Sequence, residues 1–187
     1  MAATPQQEIA VAHEFYRVII ARLTNEQGVH AETALASAGR MAGTFLLRAC
    51  NLPLETLTPG TPVFSDAVNE HGPALMELFD LVLHELQVAI DPRRLDGVEG
   101  QADAPKLDVL GTQALVEAEM NQIRQQHHLD YLEAARAAAI TSAILVQKCA
   151  QIVDPHVGYR VAAYCFVEGA KTVPQKLSPE NEGNRPQ

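Results

Sequence analysis

Apolar residues recur every three or four positions along most of the chain, and this pattern predicts helices. Ile9, Ala12, Phe15, Ile19 and Leu23 form the first stripe. In front of it, Thr4-Pro5-Gln6-Gln7 reads as a helix start, with Thr4 as the cap, Pro5 at the first helical position and Gln7 completing a capping box. Gly28 stands just past the expected stop, where a left-handed residue commonly ends a helix. A second helix is expected over 29–50. Its inner part holds Gly39 and Gly43 interleaved with Ala38 and Ala42. Small side chains let another backbone approach closely, and each glycine inside a helix costs up to about 1 kcal/mol that close packing must offset.

Residues 51–64 contain Pro53, Pro59-Gly60 and Pro62 and cannot continue a helix, while Leu52, Leu54, Leu57, Val63 and Phe64 are able to pin the segment to a core. Ser65 or Asp66 caps a third helix carrying Leu75, Leu78, Phe79, Val82, Leu86 and Ile90. Gly72-Pro73 predicts a short first turn, a break and then a longer helix. The polar stretch 91–106, bracketed by Pro92 and Pro105, is expected to be a mobile loop. Helices four, five and six follow over 107–127, 130–153 and 155–172, the last opened by Asp154-Pro155. The uncharged run from Ala137 to Val146 places helix five in the middle of a bundle or at a subunit contact. No alternating β-branched run competes as a strand. The fold class is therefore all-α: a compact, largely antiparallel bundle of about six helices without β-sheet. One domain covers 1–173, and 174–187, which lack periodicity and apolar content, form a disordered tail.

Composition narrows the function classes. With 47% apolar residues the chain is too hydrophobic for a disordered protein. Lys+Arg 14 against Asp+Glu 23 gives a net charge of −9, which repels a phosphate backbone or an anionic membrane on average. Arg93-Arg94 is the tightest pairing of cations and has no basic cluster around it, so no nucleic-acid partner is expected. No run approaches the roughly 18 apolar residues of a membrane span, and MAATPQQEIAVAHEF does not read as a signal peptide. Cys50, Cys149 and Cys165 stand at unrelated spacings with no CxxC, so they read as free thiols in a reducing cytoplasm.

Polar residues on faces that ought to be buried are the candidates for chemistry, because a buried charge is costly unless it is paired. Helical phase turns Glu32 inward with Leu35, Gly39 and Leu46, puts His71 with Leu75, Phe79 and Val82, and sets Glu119 and His127 in the stripe of Thr112, Val116 and Ile123. Two carboxylates and two imidazoles on three helices are the ligand types that hold iron, manganese or zinc in a bundle. Each residue also has a structural reading. Glu32 complements a helix N-terminus, His71 bonds a backbone carbonyl, and Glu119 pairs with Arg40 or Arg124. His127-His128 marks a helix end. Glu-x-x-His, HExxH, GxSxG, GxGxxG and GxxxxGK[ST] are all missing from the sequence.

Tyr159, Ala162, Ala163, Phe166 and Ala170 form a small-plus-aromatic face on helix six, expected to pack in the core or to support self-association. Ile140 and Ile144, on the polar side of helix five beside Glu133 and Gln147, are expected to be covered in a homodimer. The preferred reading is a noncatalytic oligomeric or interaction bundle. The alternative is a metal- or small-ligand-binding bundle, enzymatic or not, built on Glu32, His71, Glu119 and His127.

Overall fold

The computed structural model describes residues 3–98 and 104–177. These form six helices: α1 (Pro5–Leu23), α2 (Ala31–Ala49), α3 (Asp66–Glu85), α4 (109–126), α5 (Tyr131–Cys149) and α6 (Pro155–Ala170). Short 3₁₀ turns occur at Leu54–Thr56 and Pro92–Val98. No sheet forms among the described residues, only the isolated bridges Asn25 to Gly28 and Pro62 to Thr172.

Local chemistry sets the helix starts. The Thr4 side chain accepts from the Gln7 amide ahead of Pro5, Ser65 from the Val68 amide, and Asp154 from the His156 amide ahead of Pro155. Asp130 and Glu133 form a reciprocal capping box. Gln7 does not close the box expected at Thr4; its side-chain amide donates to the His127 carbonyl at 2.7 Å. Nor does α3 break at Gly72-Pro73, since one helix runs through Pro73. A proline there removes the bond to the Asn69 carbonyl, and Asn69 is exposed, so water can satisfy that group.

Consecutive helices alternate in direction. α1 runs alongside α5 in the same sense, shown by Arg136 Nε to Glu8 Oε1 at 2.7 Å and Thr141 Oγ1 to the Ala12 carbonyl at 3.0 Å. α3 opposes α6, with Phe79 stacked on Tyr159 at 5.1 Å. α4 opposes α1, pairing Arg22 with Glu119 and Glu14 with His127. The tightest packing joins α2 and α6, which run parallel. A Cβ on Gly39 would meet the Ala162 carbonyl, one on Gly43 the Phe166 carbonyl, and one on Gly169 the Arg40 carbonyl. The small residues of α2 thus meet the small-plus-aromatic face of α6, so that face is core.

α2 and α5 are the central helices. Ile140 and Ile144 are 5% and 6% exposed. The outward surface expected of them does not exist, because α1, α2, α3 and α6 all pack on α5. The 51–64 connector is fastened to the chain after α6: the Gly60 amide donates to the Val173 carbonyl, Val63 to Lys171, and Val173 to Thr61. Packing continues into the segment expected to be tail, for Pro174 is buried and the Gln175 amide donates to Gln113 Oε1 at 3.0 Å. Residues 178–187 of that expected tail lie outside the described residues. So do 99–103 of the expected mobile loop, while its flanks hold the Pro92–Val98 turn and a Lys106 amide bonded to Thr33 Oγ1 at 3.0 Å.

Candidate functional site

The four residues proposed as metal ligands each make a different contact or none. Glu32 is partly buried at the start of α2, 3.7 Å from His30 Nε2. His71 is exposed on α3 rather than turned inward, since α3 buries only the narrow line Val68, Gly72, Leu75, Phe79 and Leu83. Glu119 is partly exposed and pairs with Arg22 at 2.8 Å, not with Arg40 or Arg124. His127 Nε2 lies 2.9 Å from Glu14 Oε1. Among the described residues, no group of three or more His, Cys, Asp or Glu side chains is placed to hold a metal ion.

The buried carboxylate of α4 is Glu117, two positions before Glu119. Residues Gln113–Glu117 form a π turn within α4. A π turn carries more residues than an α turn, so the inward stripe steps Thr112, Val116, Met120 and passes over Glu119. The same turn aims Glu117 at Arg48, with Nε to Oε1 at 2.6 Å and side-chain exposures of 13% and 3%. Burial pushes the Glu117 carboxyl up and the Arg48 charge and hydrogen bond partly offset this. Arg48 also donates through Nη2 to the Gln175 carbonyl at 2.7 Å, and Gln113 donates to Thr44 Oγ1 at 3.1 Å. This network ties α2, α4 and the C-terminal segment together. Sequence phase missed it because an undistorted helix places Glu117 sideways.

Two other buried charges are likewise paired. Arg40 donates to Glu168 Oε2 at 2.8 and 3.0 Å and to the Leu107 carbonyl, and Glu8 meets Arg136. Arg124 lies 4.2 Å over the Tyr131 ring and donates to Asn121 Oδ1 at 2.8 Å, while Asn121 Nδ2 is buried without a partner. All three cysteines are free, and burial pushes each thiol up, Cys165 to about 12.

Outside the core, several large apolar side chains are exposed, three of them on α6 or on the connector that meets its end. Phe64 is 83% exposed, Tyr164 68% and Val167 46%. Tyr164 and Val167 are one turn apart on the outer side of α6, and the bond from the Val63 amide to the Lys171 carbonyl, 2.9 Å, brings the backbone next to Phe64 to the end of that helix.

Comparison with protein-family models, with curated proteins and with solved structures gave no match for this chain. No helix among the described residues is long and apolar enough to cross a membrane.

Proposed function

We propose that the protein is a noncatalytic interaction module that works as a homodimer in a reducing compartment such as the cytoplasm. The carrying observation is the exposure of the large apolar side chains of Phe64, Tyr164 and Val167. Aromatic side chains are enriched in the buried centres of interfaces, where a few of them supply most of the binding energy. The partly exposed Lys171 and Glu168 fit the polar rim such a centre needs. Free cysteines suit a reducing compartment, and thiols pushed up by burial are poor nucleophiles, in keeping with a noncatalytic role.

Light scattering on the full chain tests this reading. The expected mass is that of a dimer, and the double substitution Phe64→Asp, Val167→Asp should give a monomer with unchanged helical circular dichroism. A monomeric natural chain, or a dimer that survives both aspartates, would overturn it.

A further inference from the structure

Arg48 stands at the base of a hollow that the dimer reading does not use. The hollow, about 500 Å³ in volume, is lined by Arg48, Leu52, Leu54, Tyr131, Pro174 and Lys176 among others. That size lies within the range of small-molecule sites, roughly 300–1,000 Å³. Its charge pattern runs against the rest of the molecule. The chain carries a net charge of −9, yet the described lining contains two cations and no carboxylate.

The guanidinium of Arg48 is pre-oriented. Nε is held by Glu117 and one hydrogen of Nη2 by the Gln175 carbonyl. Of the five N–H donors of an arginine, those on Nη1 have no hydrogen-bond partner among the described residues. The open Nη1 donors suit a carboxylate oxygen, and the exposed Lys176 ammonium supplies a second positive contact at the rim. Glu117, directly behind Arg48, disfavours a second negative charge on the ligand and so favours a monoanion over a phosphate dianion. The Tyr131 ring, backed by Arg124, and the Leu52, Leu54 and Pro174 side chains give an apolar wall for the rest of the molecule. A smaller hollow across Arg48 and Tyr131 is lined by Asp130, which opposes an anion there.

We infer that the cleft over Arg48 binds a small organic monocarboxylate, its carboxylate on Arg48 and Lys176 and its apolar body against Tyr131 and the leucines. Titration calorimetry on the full chain, with octanoate and naphthoate as probes and octanol as the uncharged control, tests this. The expected result is saturable binding of one carboxylate per chain, at least about tenfold tighter than octanol, as charge-assisted hydrogen bonds to arginine require. Arg48→Gln should abolish it. Because Arg48 also supports the fold, Lys176→Glu provides a second arm: its side chain is exposed, and the charge reversal should weaken octanoate by about tenfold with the melting temperature unchanged. Failure of both carboxylates to saturate, octanol binding as tightly as octanoate, or undiminished binding in Lys176→Glu would each overturn the assignment.

Discussion

Arg48 and Glu117 meet at 2.6 Å, joining the end of α2 to the π turn of α4, and both side chains are largely withdrawn from water. Neither charge is tolerable there alone. Glu117→Ala should cost about 3–5 kcal/mol in denaturant unfolding, because it leaves the guanidinium buried without its counter-charge. Replacing the pair together, Arg48→Met with Glu117→Met, should cost far less, since two apolar side chains of similar volume leave no buried charge unpaired and only the Gln175 carbonyl without its donor.

The same carboxylate gives stability a defined pH dependence. Burial raises the Glu117 carboxyl in the folded chain, so between the ordinary carboxylate value and the raised one the folded state holds more protons than the unfolded state. Stability from this group is complete below the ordinary value and is lost as pH rises through the folded one. Urea midpoints across that window should fall more steeply for the natural chain than for Glu117→Gln.

Glu119 provides the contrast. Its pair with Arg22 is 42% and 54% exposed at the two side chains, and exposed pairs of this kind contribute little. Glu119→Ala should shift stability by no more than about 0.5 kcal/mol. A loss comparable to that of Glu117→Ala would show that the π turn does not set the phase of α4.

Gly39 and Gly43 tolerate no methyl group. A Cβ at either lies inside the contact with the α6 backbone, so relief requires the two helices to separate. Alanine at Gly43 should destabilise by about 3 kcal/mol or more despite its better helix propensity, beyond the usual range for overpacking because the obstacle is main chain. Thermal unfolding of Gly43→Ala checks this.

His156 is buried with Nε2 accepting the Asp91 amide at 3.0 Å and Nδ1 on Asp154 Oδ1 at 2.9 Å. The His156 backbone amide, which donates to Asp154 Oδ1 at 2.8 Å, and after it the imidazole bond hold the Asp154 carboxyl below the usual carboxylate range. The stability Asp154 contributes is therefore present above its unfolded value and lost as pH falls through the lower folded one. His156→Phe removes the acceptor for the Asp91 amide, which should then exchange its hydrogen faster while α5 amides keep their protection.

Much of the fold was legible in local patterns. Thr4 and Asp154 cap the helices they are expected to open, Ser65 rather than Asp66 caps the third, and the small residues of α2 do meet another helix closely. What phase could not supply was how many neighbours surround a helix. Ile140 and Ile144 read as outward because they sit beside Glu133 and Gln147, yet α5 is enclosed on nearly every side. His71 read as inward because α3 was credited with a wide buried face, whereas it packs along one narrow line. Glu119 was misplaced by a single wide turn that no residue of α4 announces. The candidate cleft is not legible in the sequence, since nothing in the spacing of Arg48, Tyr131 and Lys176 links three residues so far apart along the chain.

The parallel pairing of α2 with α6 also sets an order of events at the ribosome. The α2 surface at Gly39 and Gly43 finds its match only when Ala162 and Phe166 have been made, which at typical synthesis rates is on the order of ten seconds later. Until then a stretch of small and apolar residues stays uncovered while α3, α4 and α5 emerge. Contacts this distant in sequence slow folding, and nascent chains halted before α6 should be the ones that chaperones hold and proteases cut.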